Sequence, residues 1–150
     1  MKIILTIVLA SLSLVTAHAE VDHIRIALKV LRDGNTMQTP SVIVLPGKAS
    51  QLAVTQDYKD PGNRSLPVGI IFDSIADFKD GKIKYSCLLT LRERQKTKDE
   101  ATQSVSFFKT QEFMLSGLSE AGKDVKTDLG DGLSIVLSLS KVNAKGEALK

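Results

Sequence analysis

Two alternating runs, residues 69–78 and 82–92, meet at Asp80-Gly81, and this junction restricts the fold more than any other stretch of the chain. A two-residue type I′ turn needs both central residues at positive φ, which glycine adopts freely and aspartate tolerates. Before the turn Ile70, Phe72, Ser74, Ala76 and Phe78 share one face, and after it Ile83, Tyr85, Cys87, Leu89 and Leu91 do the same. The spacing predicts a β-hairpin with one dry face.

The same plan recurs along the chain. Ile24, Ile26, Leu28 and Val30 alternate with His23, Arg25, Ala27 and Lys29, a strand ended by Asp33-Gly34-Asn35, and residues 36–39 read as a connection. Residues 40–54 read as a half-buried hairpin reversing at Pro46, Gly47 and Lys48, with Ser50, Leu52 and Val54 on one face of the returning strand. Residues 57–67, with Asp60-Pro61-Gly62 and Pro67, read as a loop. Within it Asn63-Arg64-Ser65 has the N-glycosylation acceptor pattern.

Residues 102–115 supply one or two further strands through Val105, Phe107, Phe113 and Leu115, and the polar residues 117–130 read as a loop with one helical turn. The last strand, 133–142, is entered through Gly130, Asp131 and Gly132 and turns Ile135, Leu137 and Leu139 inward, before a polar tail. About eight short strands separated by turn signals predict an all-β, antiparallel sandwich-like domain. The residues on which the turns depend are Pro46, Gly47, Asp80, Gly81, Asp131 and Gly132.

Residues 1–19 have the form of a secretory signal peptide, with Lys2 ahead of an apolar run that ends in Ala17-His18-Ala19. That run is shorter than the about twenty apolar residues of a spanning helix, so no membrane span is expected in the mature chain. Cleavage there leaves residues 20–150 as one β domain, exported to the periplasm, the outer membrane or the medium. Without Lys2 the net charge is about +2, and the basic residues from Arg92 to Lys98 are interleaved with acidic ones, which gives no electrostatic case for nucleic acid.

Catalytic parts are few. His18 leaves with the leader, so a nucleophilic triad would have to be built on His23, beside Asp22 at a strand start. One histidine and the lone Cys87 cannot supply a tetrahedral metal site, and Cys87, in phase with Leu89 and Leu91, reads as a core thiol with no intrachain disulfide partner. Tryptophan is absent and aromatic residues make up 5% of the chain, short of the platforms a glycosidase cleft uses and of the girdles a membrane barrel needs. No catalytic, cofactor-binding or metal-binding residues are expected, and no cofactor.

Pro40, Val42 and Val44, followed by Gly47, Lys48, Ser50, Leu52 and Val54, then Gly69 with Phe72, then Asp80-Gly81 with Ile83 and Tyr85, and finally Asp131-Gly132 before Ile135, form a series. The series resembles the β-domain of the secretins, the ring-forming outer-membrane channels of type II and type III secretion and type IV pilus systems. It covers about residues 40–140, and Ala76 stands where the family carries proline. The resemblance implies a small relative that keeps the strand scaffold and has a structural or interaction role in the cell envelope or secretion machinery. Its partner would be a protein, or further copies of itself, met through strand edges. The residues alone also allow a secreted sandwich that binds a small ligand or carbohydrate through loops 57–67 and 117–130.

If Gly81 occupies a positive-φ turn position, Gly81→Val costs at least about 1 kcal/mol. An unchanged melting temperature would show that the turn lies elsewhere.

Overall fold

The computed structural model describes residues 21–59, 63–97 and 105–149. The leader expected at 1–19 lies outside the described residues, as do Asp60, Pro61 and Gly62 of the expected loop and the part of the charged run from Lys98 to Glu100. Nine strands are described: β1 (His23–Arg32), β2 (Asn35–Gln38), β3 (Ser41–Val44), β4 (Ala49–Lys59), β5 (Ser65–Lys79), β6 (Lys82–Thr97), β7 (Val105–Ser119), β8 (Asp124–Gly130) and β9 (Leu133–Val142). They form two antiparallel sheets. Sheet A has the order β2-β1-β9-β8, with β3 also on β1, and sheet B the order β4-β5-β6-β7.

Alternation explains how the sheets meet. Ile24, Ile26, Leu28 and Val30 of β1 and Leu133, Ile135, Leu137 and Leu139 of β9 point the same way and are buried. Against them lie Ile70, Phe72 and Ala76 of β5 and Ile83, Tyr85, Cys87, Leu89 and Leu91 of β6, all in one cluster. At about 1.5–3 kcal/mol for each fully buried aliphatic or aromatic side chain, this contact outweighs any single turn or ion pair. Phe78, expected on the same face, lies opposite Ile83 beside the Asp80-Gly81 turn and is 37% exposed.

Three Asp-Gly pairs reverse the chain as the type I′ geometry requires, with φ of 50° and 79° at Asp33 and Gly34, 50° and 74° at Asp80 and Gly81, and 51° and 72° at Asp131 and Gly132. They join β1 to β2, β5 to β6 and β8 to β9. The first and third turns lie side by side: the Asp33 amide donates to the Gly132 carbonyl at 2.8 Å, and a Cβ on Gly132 would collide with the Asp33 carboxylate.

Residues 40–54 do not form a hairpin. β3 pairs with β1 in sheet A, from Ile24↔Val44 to Ala27↔Ser41, whereas β4 pairs with β5 in sheet B. Pro46 and Gly47 form a corner that carries the chain from one sheet to the other. Gly47, at φ 71°, donates its amide to the Ala76 carbonyl of β5 at 2.8 Å, so the turn is anchored on the sheet it is entering.

The connection expected at 36–39 is largely strand β2. Both expected loops are strand as well: residues 57–59 complete β4 and 65–67 open β5, with Asp57 opposite Pro67, while 117–119 complete β7 and 124–130 form β8. Proline is tolerated at 67 because β5 has no partner there on its other side, its pairing with β6 beginning only at Gly69↔Arg92. The polar tail is also ordered by its own groups. The Asn143 side chain accepts from the Lys145 and Glu147 amides, and the Arg25 guanidinium donates to the Gly146 carbonyl at 2.5 Å.

Gly69 marks where sheet B divides. At φ 138° it sits against β4 so closely that a Cβ would run into the Val54 carbonyl oxygen. Beyond it the β4–β5 ribbon and the β6–β7 ribbon part, since β4 and β5 remain paired to Lys59↔Ser65 and β6 and β7 to Thr97↔Val105. Gly69→Ala is expected to lower stability by at least about 2 kcal/mol, from backbone strain together with the backbone clash. Urea unfolding midpoints test this, and equal midpoints would show that the kink is not required.

Candidate interaction surface

The outward rows of sheet B follow from its register. Gln51, Asp73, Leu88 and Met114 line up across β4, β5, β6 and β7, followed by Ala49, Ile75, Ser86 and Ser116, and then Asp77, Lys84 and Leu118 on β5, β6 and β7. Met114 is 78% exposed, Leu118 55% and Ile75 42%. Two shallow hollows mark this face: one of about 460 Å³ between Gln51, Ile75, Leu88 and Met114, the other of about 380 Å³ between Gly47, Ile75, Asp77 and Tyr85. Exposed apolar residues gathered on one face are characteristic of a contact surface, whereas scattered ones are not.

β7 is also an edge. Among the described residues no strand pairs with its outer side, and its register with β6 runs from Ile83↔Ser119 to Thr97↔Val105 without a shift. The edges of sheet A are blunted. β2 and β3 are four residues each, and β8 carries Asp124, Lys126 and Asp128 at every second position with a bulge before Gly130. β4 leaves the Pro46 corner with Ala49, Gln51, Ala53 and Thr55 on its outward row.

β7 and the facing β8 meet along a seam whose apolar residues are only half-buried. The Lys109–Asp131 ion pair at 3.8 Å joins β7 to the β8–β9 turn, and the Glu120–Lys123 pair at 2.5 Å lies within the turn that links β7 to β8. Phe113 and Leu115 of β7 and Val125 and Leu129 of β8 line the seam, packed against the core. Lys123 donates to the Glu120 carboxylate and holds it below the usual carboxylate range.

Beyond Gly69 the two ribbons are held together by aromatic contacts. The Arg94 guanidinium lies 3.9 Å from the Tyr58 ring centroid, and Tyr58 meets Phe108 at 5.7 Å with the rings tilted. At the sandwich end of the β6 ribbon Arg32 forms a 2.8 Å ion pair with Glu93, linking sheet A to sheet B.

The described parts of the two segments expected as loops are largely strand, and each joins the sheets instead of standing apart at one end. Residues 57–59 and 65–67 lie past the Gly69↔Arg92 end of sheet B, whereas the turn after β7 lies at the opposite end, where Ser119 pairs with Ile83 next to Asp80-Gly81. A third hollow, about 820 Å³, is on the outer face of sheet A, where Lys29, Val136 and Lys126 form one row and Leu31, Ser134 and Asp128 the next. It carries charges of both signs over a shallow floor. His23 donates from Nδ1 to the Val21 carbonyl at 2.7 Å. Among the described residues no group of three or more His, Cys, Asp or Glu side chains is placed to hold a metal ion, and no helix is long and apolar enough to cross a membrane.

The six turn residues singled out in the sequence do not form a site: Pro46 and Gly47 make the sheet-to-sheet corner, and the two Asp-Gly pairs close hairpins in different sheets. Met114 and Leu118 were not singled out. The signal for Met114 is the uninterrupted Phe113-Met114-Leu115, since three apolar residues in a row on a strand must turn at least one of them to the wet face. No protein-family model matches the chain, and no curated protein is detectably similar to it.

Cys87 is 2% exposed, and burial pushes its thiol from 9.0 up to about 12. Burial, and secondarily the neighbouring Cys87, also raises the Tyr85 hydroxyl. Between pH 9 and 12 the unfolded chain has lost the thiol proton while the folded chain retains it. Stability from this group is therefore complete below about pH 9 and falls as pH rises toward 12. Cys87→Ala is expected to flatten that alkaline decline in denaturant midpoints, and a slope unchanged by the substitution would assign it to other groups.

Proposed function

We propose that this chain is a non-catalytic exported protein that acts by protein contact, with a structural or interaction role in the cell envelope or secretion machinery. The observation that carries the reading is the coincidence, on β7, of a long unblunted edge and an exposed apolar row through Met114 and Leu118. Backbone groups along the edge supply affinity to an added strand, and the apolar row supplies selectivity. The sequence of residues 1–19 supports export, and the secretin-like spacing supports a place beside envelope assemblies built from strand contacts. A catalytic role finds little support, because His23 is engaged with the backbone at the start of β1 and the buried Cys87 thiol is held in its protonated form.

Two measurements test the reading together. The protein recovered from the producing cell's envelope or medium is expected to have a mass that begins at Glu20, and the intact Met1 form in the cytoplasm would exclude export. In-cell cross-linking is expected to trap the chain in a discrete complex that is lost when Met114→Lys and Leu118→Lys are combined, with the melting temperature within a few degrees of wild type. A complex that survives both substitutions would show that this surface is not the contact.

A further inference from the structure

We infer that the strand received by β7 is β7 of a second copy, paired antiparallel about a twofold axis through Met114. The inference rests on the reading of β7 as the contact edge and adds the identity of the occupant. An antiparallel self-pair matches inward with inward residues only when it is centred on a residue, so the possible registers are few. Each can be judged by what faces Glu112, the only charged residue between Thr110 and Ser119.

Centring on Glu112 sets it against its own copy, and centring on Ser116 sets it against Glu120, so both oppose like charges. Centring on Phe113 or Leu115 places Glu112 opposite Met114 or Leu118 and divides the apolar row. Of these five registers only the one centred on Met114 avoids both faults: Glu112 faces Ser116, Thr110 faces Leu118, and Met114 meets its own copy. Like charges directly opposite destabilise a sheet pair, whereas apolar pairs stabilise it.

The inward side fits equally well. In the same register Phe113 of each copy faces Leu115 of the other. The incoming strand therefore brings an aromatic and an aliphatic side chain to the edge of the seam, where Phe113, Leu115, Val125 and Leu129 are half-buried. The paired edges would join two four-stranded sheets into one continuous sheet, satisfying the free backbone groups on both β7 strands. The outer faces then share one apolar band running from Ile75 and Leu88 through Met114 to the second copy.

The register can be read directly by cysteine cross-linking, because Cys87 is buried and its thiol is held protonated. In the purified mature chain, Met114→Cys would place two thiols opposite each other, at the about 4.5–5.5 Å Cα separation of an antiparallel pair, within disulfide range. Glu112→Cys would leave its two copies about 13 Å apart along the strands, out of reach. Mild oxidation is expected to give a covalent dimer from Met114→Cys and not from Glu112→Cys or Leu118→Cys.

As a second readout, Met114→Lys and Met114→Glu are each expected to weaken the dimer about tenfold, and mixing the two variants to restore it, since opposite charges would then meet across the axis. A monomeric mass for the wild type at all concentrations, or equal cross-linking rates at positions 112, 114 and 118, would overturn self-pairing. If self-pairing fails in this way while the Met114→Lys, Leu118→Lys variant still loses its complex in cells, β7 remains the contact edge for a different protein. If that variant keeps its complex while Met114→Cys cross-links, self-pairing stands and the envelope contact lies elsewhere.

Discussion

The structure depends on one contact: the inward rows of β1 and β9 packed against those of β5 and β6. Every strand in these rows alternates strictly, so a shift of one residue in any pairing would exchange the aliphatic row for one carrying Lys29, Arg25, Asp73 or Lys84. The register is therefore fixed by the free energy of burial along whole strands, and the Asp-Gly turns are placed consistently with it. Cys87 lies inside this contact, and the barrier to ionising it is the cost of placing charge in that apolar layer.

The central strands are satisfied on both sides, and this moves the consequences to the edges. β1 has β9 on one side and shares the other between β2 and β3, while β5 and β6 are flanked throughout the sandwich. Within the sandwich, among the described residues, unpaired backbone groups are left on the outermost strands, and these differ sharply in how well they are guarded. β8 presents alternating charges and a bulge, whereas β7 presents threonine, glutamine, one glutamate and then an apolar and small-residue run. A folded chain with such an edge either aggregates or uses the edge, and the functional reading rests on that distinction.

Much of the fold was legible because it is local. The dry faces of β1, β5, β6 and β9 follow from alternation, and the turns at Asp80-Gly81 and Asp131-Gly132 follow from the backbone angles that those residues tolerate. The errors share a cause. Residues 40–54 read as a hairpin because two apolar strands flank a Pro-Gly pair, but which strand each one joins is decided by partners elsewhere in the chain. β3 finds β1 and β4 finds β5. Residues 57–67 and 117–130 read as loops because proline, glycine and polar residues dominate them. Pro67 is accepted where β5 lacks a second neighbour, and Gly117 where the Tyr85 ring lies over it.

The sequence by itself determined an all-β chain of alternating strands, the inward face of each major strand and the Asp-Gly reversals, since each depends only on residues close together in the chain. The tertiary structure alone decided that β3 and β4 belong to different sheets, that Gly69 divides sheet B, and that β7 is left as its outer strand beside an apolar seam. Those outcomes depend on which strands find one another across long separations. Backbone hydrogen bonds are nearly the same for any pairing, so the choice is made by how the apolar rows of the whole chain can be buried at once.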